Sequence, residues 1–104
     1  MIATLKKIFG IPSVNYKSLI HHKGAIVIDV RTKEEYQQGH VVGSVNIPLS
    51  SLSKHFETIR KDKPLITCCA SGLRSAQAKS MLKANGYLEV YNGGSWTKVR
   101  NKIA

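Results

Sequence analysis

The sequence predicts a small α/β domain in which a central parallel sheet is flanked by helices. Three observations carry this. Short apolar, β-branched runs recur at 25–30, 45–47, 65–68 and 88–91, and stretches with helical spacing or helix caps separate them. The first of these runs, Ala25-Ile26-Val27-Ile28-Asp29-Val30, is apolar almost throughout, the pattern of a strand buried on both faces. The chain has 104 residues, which at ~100–200 residues per domain is one domain. Strands alternating with helices then run parallel.

Taken in order, Asn15 to His22 reads as a short helix with Tyr16, Leu19 and Ile20 on one face, ended by Gly24. The 25–30 strand follows. Thr32 and Glu35 form a capping box for a helix over Lys33 to Gln38, stopped by Gly39. Val45-Asn46-Ile47 is a strand closed by Pro48. Ser50 or Ser51 caps a helix carrying Leu52, Phe56 and Ile59. Pro64 opens the strand Leu65-Ile66-Thr67-Cys68. Ser75 to Asn85 is helical, with Ala78, Met81 and Leu82 inward and Gly86 as the stop. Leu88 to Tyr91 is the last strand. Asn92-Gly93-Gly94 turns into a final helix bearing Trp96, Val99 and Ile103. Residues 1–14 read as an N-terminal extension, in which Leu5, Ile8 and Phe9 make a short amphipathic turn packed on the domain; 15–104 read as the domain itself.

Composition narrows the function. Lys and Arg total 16 against 6 Asp and Glu, a net charge of +10, which favours small anionic substrates or acidic partners. The basic residues are scattered and few aromatics interleave with them, so no specific nucleic-acid binding is expected. No stretch approaches the ~18 apolar residues of a membrane span, and the N-terminus lacks the apolar run of a secretory signal. The two cysteines, Cys68 and Cys69, are adjacent and build no disulfide framework. A cytoplasmic monomer without membrane contact is expected. His21, His22 and His55 share no ligand spacing with each other or with the cysteines, so no metal is expected. His40 reads as a structural residue, and Glu34 and Glu35 as first-turn helix charges.

In parallel α/β folds ligands sit at the carboxyl ends of strands. The 65–68 strand runs there into Cys69-Ala70-Ser71-Gly72-Leu73-Arg74-Ser75 and at once into a helix. A thiol at that turn faces unpaired N–H groups at a helix N-terminus, which favour thiolate. Gly72 lets the loop aim its amides inward as an anion cradle. Arg74 brings a permanent charge on a planar donor fork, and Ser71 and Ser75 bring hydroxyls. Cys69 is therefore the candidate nucleophile; Cys68, inside the apolar strand, reads as core.

This loop resembles the active loop of rhodanese domains, commonly Cys-Arg-Ser-Gly-x-Arg-Ser. Independent segments agree: Ile28-Asp29-Val30-Arg31, Glu34-Glu35-Tyr36, Gly39-His40-Val41, Gly43-Ser44, Asn46-Ile47-Pro48 and Val90-Tyr91-Asn92-Gly93-Gly94 with Trp96. The resemblance covers Tyr16 to Val99. It implies a single-domain rhodanese-like sulfurtransferase without cofactor. Cys69 would take the outer sulfur of a small anionic donor such as thiosulfate, or of a persulfide. The resulting persulfide, cradled by Ala70, Ser71, Gly72, Leu73, Arg74 and Ser75, would pass it to cyanide, a thiol or an acceptor protein. Asp29 and Arg31 are expected to support the loop. One departure is Ala70, where many members carry Arg. Weaker thiosulfate binding, or preference for a less charged or protein-borne persulfide, is the expected consequence.

Two other readings stand beside this one. Counted from Cys68 the loop is Cys-x5-Arg-Ser, the phosphate loop of cysteine phosphatases, some of them rhodanese-like in fold; that implies a phosphatase or arsenate reductase. Here, however, Thr67 precedes Cys68 and no leaving-group acid is evident. A non-catalytic rhodanese-like binding module is the other, although such modules typically lack the loop cysteine.

Overall fold

The computed structural model describes residues 14–104, so the amphipathic turn at Leu5, Ile8 and Phe9 lies outside the described residues. The elements are α1 (Tyr16–Lys23), β1 (Ile26–Asp29), α2 (Lys33–Gln38), β2 (Val45–Asn46), a 3-10 helix (Leu49–His55), β3 (Leu65–Cys69), α3 (Leu73–Ala84), β4 (Val90–Ser95) and α4 (Trp96–Ile103). The four strands form one parallel sheet in the order β2-β1-β3-β4. The predicted α/β architecture is what the chain adopts. No helix among the described residues is long and apolar enough to cross a membrane.

Strand alternation divides the core in two. Ile28, Val30, Leu65, Cys69 and Val90 face the layer built by α3 and the 3-10 helix, against Leu52, Ala78, Leu82 and Tyr87. Val27, Ile66 and Cys68 face the opposite layer, against Tyr16 of α1, Val41 and Val99 of α4. The two cysteines, neighbours in sequence, thus serve different cores.

Caps set most helix ends. Asn15 accepts from the Ser18 N–H at the start of α1, and Gly24 closes it in the left-handed region, φ 67°. The Thr32–Glu35 capping box forms in full. Ser95 caps α4. Between β2 and β3 the expected α-helix is instead a 3-10 helix that starts at Leu49 without a side-chain cap. Pro48 sits just before it at φ −53°, and the Ser51 N–H already bonds back to the Pro48 carbonyl at 2.8 Å. That i→i+3 closure, in a serine-rich segment of low helix propensity, sets the tighter winding.

The last strand also differs from expectation. Leu88 is exposed, and β4 begins at Val90 but continues through Asn92-Gly93-Gly94, read from sequence as a turn. Thr67 pairs with Asn92, and Cys69 with Ser95, so two steps on β3 match three on β4. The extra residue is a bulge. Gly93 is required by close approach: a Cβ there would stand 2.5 Å from Val99 and 2.8 Å from the Thr67 carbonyl. Asn92 stands just before the bulge, beside Thr67, and the bulge brings Ser95 opposite Cys69 at the carboxyl end of β3.

Candidate active site

β3 runs one residue further than its apolar pattern suggests and ends on Cys69 itself. The chain then turns through Ala70 and Ser71 to Gly72, whose φ of 107° lies where side chains are strained. α3 begins at once, so Leu73 and Arg74 belong to its first turn rather than to the loop. This geometry folds the amides around the sulfur. The Gly72 N–H donates to Cys69 Sγ at 3.0 Å and the Ser75 N–H at 3.4 Å. The Ser75 hydroxyl stands 3.6 Å from the same sulfur. Ala70, Ser71 and Leu73 are exposed, Leu73 at 80%, and form the outer surface of the turn.

Electrostatics divides the two cysteines. Burial is the largest influence on Cys69 and raises its pKa. The Ser75 hydroxyl and the N–H groups of Ser75, Gly72 and Ser71 together outweigh it, leaving the pKa below its ordinary value. Cys68 has no such donors. Burial first, then the nearby Asp29 carboxylate, push its pKa up to about 12. Cys69 is itself enclosed beneath the turn, with 0% of the residue exposed.

Arg74 does not point a vacant fork at the cradle. It forms a bidentate pair with Glu35, Nη1 to Oε1 at 2.7 Å and Nη2 to Oε2 at 3.0 Å. Glu35 also receives the Thr32 N–H at 3.0 Å as its capping-box duty. The Arg74 guanidinium first, then that N–H, hold the Glu35 carboxyl down at about 2. One side chain therefore ties the start of α2 to the start of α3, across the reactive turn.

Asp29 and Arg31 form a buried bidentate pair, with Nη2 to Oδ2 at 2.8 Å. Arg31 also donates to the carbonyls of Gly39, at 2.6 Å, and Glu35, at 3.3 Å, and its guanidinium lies 4.8 Å from the Trp96 ring centre. Its reach toward the turn runs through α2 and Glu35, with no bond to the loop itself. His40 stacks on Tyr36 at 3.8 Å and bonds its carbonyl. Among the described residues no three potential ligands gather as a metal site. A cleft of about 430 Å³, lined by Val30, Pro48, Leu49, Arg74 and Met81 among others, flanks the Arg74 side of the turn.

Two residues of this neighbourhood escaped the sequence reading. The sequence ties Glu35 to its helix through a visible capping box, but its Arg74 partner lies 39 positions away. Asn92, a turn residue by its Asn-Gly-Gly sequence, lies within β4. Its Oδ1 accepts from the Ser75 hydroxyl at 2.6 Å and from the Gly94 N–H at 3.0 Å, which places it directly behind the sulfur's own partner.

Comparison with known proteins agrees with this geometry. The model of the rhodanese-like domain matches residues 14–102. An uncharacterised protein of Bacillus subtilis (strain 168), YqhL, is 41% identical over 83 residues, 79% of this chain and 66% of that protein. The thiosulfate sulfurtransferase PspE of Escherichia coli (strain K12) is 44% identical over 69 residues, 64% of this chain and 66% of PspE. The chain thus spans just under two thirds of the length of each. Among solved structures, a rhodanese with anions from E. coli superposes with a TM-score of 0.66 at 37% identity, covering 71% of this chain and 89% of that one. A rhodanese-like domain protein from Staphylococcus aureus superposes at 0.70 with 27% identity, covering 82% of each chain. A motif set spread along the chain, a four-stranded parallel sheet and a cysteine ringed by backbone amides thus converge with these matches: the chain belongs to the rhodanese-like family.

Proposed function

We propose that the protein is a sulfurtransferase that carries sulfur as a persulfide on Cys69. The observation that carries this reading is the pair of N–H groups, from Gly72 and Ser75, aimed at one sulfur atom at 3.0 and 3.4 Å. Such donors stabilise an anionic sulfur without any metal or organic cofactor. The Cys69 thiolate attacks the outer sulfur of the donor. The donor's S–S bond breaks, and the leaving group, sulfite from thiosulfate or a thiolate from a persulfide, departs with the bonding electron pair. Cys69 then carries a terminal sulfur. A thiophilic acceptor, such as cyanide, a small thiol or a cysteine of another protein, attacks that sulfur and the Cys69 thiolate returns.

Arg74 gives its fork to Glu35, and Ala70 contributes no charge, so the donor meets mainly backbone amides at the reacting sulfur. That supports persulfides as donors at least as well as thiosulfate. A phosphatase reading centred on Cys68 gains nothing from the geometry: that thiol faces the α1/α4 layer with its pKa pushed up to about 12.

Intact mass after brief incubation with thiosulfate, and separately with a polysulfide, tests the proposal. The expected result is a gain of one sulfur atom, reversed by cyanide, absent in Cys69→Ser and retained in Cys68→Ala. No gain with either donor, or a gain that survives Cys69→Ser, overturns it.

A further inference from the structure

The Ser75 hydroxyl carries one proton and stands among three atoms able to accept it. Asn92 Oδ1 lies at 2.6 Å, the Gly72 carbonyl at 3.0 Å and Cys69 Sγ at 3.6 Å. The orientation of Asn92 is fixed independently, because the same Oδ1 receives the Gly94 N–H at 3.0 Å. A flipped amide would set donor against donor there. The β4 bulge and the Thr67–Asn92 register hold the residue in place.

The two protonation states of Cys69 ask different things of this hydroxyl. As a thiol, Cys69 donates to Ser75 Oγ while Ser75 donates to Asn92, and the chain of bonds closes. As a thiolate, the sulfur is an acceptor only. Ser75 then serves it only by turning its proton from Asn92 to Sγ, exchanging a short neutral bond for a charge-assisted one. We propose that Asn92 is a positioning residue for the Cys69 reaction: its Oδ1 competes with the sulfur for the Ser75 proton and so sets how readily this sulfur carries charge and how strongly it attacks. The inference rests on Cys69 being the sulfur-carrying residue.

The competition follows the reaction cycle. Forming the Sγ–S bond makes Sγ neutral and moves the negative charge to the outer sulfur. Sγ then no longer needs the hydroxyl proton, and Ser75 returns to Asn92. Loss of the outer sulfur to an acceptor restores charge on Sγ, and the hydroxyl turns back. Other charged or titratable groups near Cys69 are Arg74 of α3 with Glu35 of α2, Asp29 of β1, Cys68 of β3, and Lys98 of α4, whose stem passes over Gly94. None of them changes in the variants below, although Asn92→Asp adds one charge of its own.

The test is the pH dependence of Cys69 alkylation by iodoacetamide, with thiolate ultraviolet absorbance as a second readout. Asn92→Ala frees the hydroxyl for the sulfur. Its midpoint should fall, and alkylation near pH 6 should rise about 2- to 10-fold, the net worth of one neutral hydrogen bond. Asn92→Asp keeps the acceptor and strengthens it, so its midpoint should rise. Should Asn92→Ala fail to fold, Asn92→Asp still reports through the part of its rise that Ser75→Ala removes, because it preserves the shape and the Gly94 bond. Ser75→Ala should raise the midpoint, cancel the Asn92→Ala effect in the double variant, and reduce the Asn92→Asp rise to the direct repulsion of the new carboxylate. Shifts of the same sign in Ala and Asp, or Asn92 effects undiminished without the Ser75 hydroxyl, overturn the proposal. Wild type that gains no sulfur from any donor overturns the sulfurtransferase reading instead; unshifted midpoints in a chain that does gain sulfur overturn only the role of Asn92.

Discussion

Burial raises the pKa of both cysteines, and only at position 69 do donors reverse it. The difference comes from one step of strand pleat. Cys68 lies in the layer of Tyr16, Val41 and Val99, beside the Asp29 carboxylate; Cys69 points across the sheet and under the turn that follows it. An apolar environment offers a thiolate nothing to replace water, whereas a ring of N–H groups does. Iodoacetamide at pH 7.5 should therefore modify one cysteine per native chain, and fragmentation of the labelled peptide should place it at Cys69. The labelling rate should fall with pH through a midpoint below that of free cysteine, because the lowered pKa keeps thiolate present at more acid pH. Cys68 should label only once denaturant opens the core. Cys68→Ala should keep the Cys69 rate at a cost of about 1 kcal/mol in stability, in the ordinary range for a small core truncation. Native-state labelling at Cys68 would contradict this division.

At the scale of elements, the turn is held by helices that the sequence places well but does not visibly connect. The Glu35–Arg74 pair joins α2 to α3, and its strength depends on Glu35 being ionised. Folded Glu35 titrates at about 2, against an ordinary carboxyl value of 4.5. The pair thus contributes fully above 4.5, and its contribution is lost as pH falls toward 2. Glu35→Gln keeps an amide oxygen for the Thr32 N–H but removes the charge. Since the pair is about a third exposed, its worth is about 0.2–1 kcal/mol, or roughly 1–6 °C of Tm for a domain of this size. Thermal melts of wild type and Glu35→Gln should differ by that amount at pH 6 and converge near pH 2. A gap independent of pH would show that the carboxylate charge is not what clamps α2 to α3. Legibility follows the same lines. Periodicity and caps revealed α1, β1, α2 and α3 to within two residues at each end, because those signals are local. The run of β4 through Gly93 was hidden, since it is decided by a partner distant in sequence, the Thr67 carbonyl that crowds Gly93; the 3-10 winding was hidden because the spacing of Leu52, Phe56 and Ile59 suggests an α-helix and carries no mark of the Pro48–Ser51 closure. The reactive turn was legible as a string. Its neighbours Glu35 and Asn92 were not, because nothing local distinguishes a residue that contacts the turn from a helix cap or a turn residue.

At the scale of the whole molecule, charge remains the least absorbed property of the chain. Three ion pairs among the described residues, Asp29–Arg31, Asp62–Arg60 and Glu35–Arg74, already engage three of the six acidic side chains. Among the described residues, Lys17, Lys33, Lys83, Arg100 and Lys102 face solvent outside these ion pairs, and the net charge of the chain is +10. A field of that size acts at a distance. At 0.01 M ionic strength the screening length is about 30 Å, beyond the ~13 Å radius of gyration of a 100-residue domain, so the charges act together on an approaching anion; at 1 M it is about 3 Å and only contacts count. Dianionic thiosulfate should accordingly be drawn to the protein by residues that never touch it. Lys23, Lys54 and Lys83 are exposed and separate from the Cys69 turn. Reversing all three to Glu removes two charge units at each, taking the net charge from +10 to about +4. At 0.01 M salt the triple variant should show a several-fold lower kcat/KM for thiosulfate than wild type, with kcat little changed, because the sulfur cradle is intact. As salt rises toward 1 M the two proteins should converge, wild type falling to meet the variant. Identical values at low salt would mean that the donor responds only to groups beside the cradle, and that the basic surface is there for another partner.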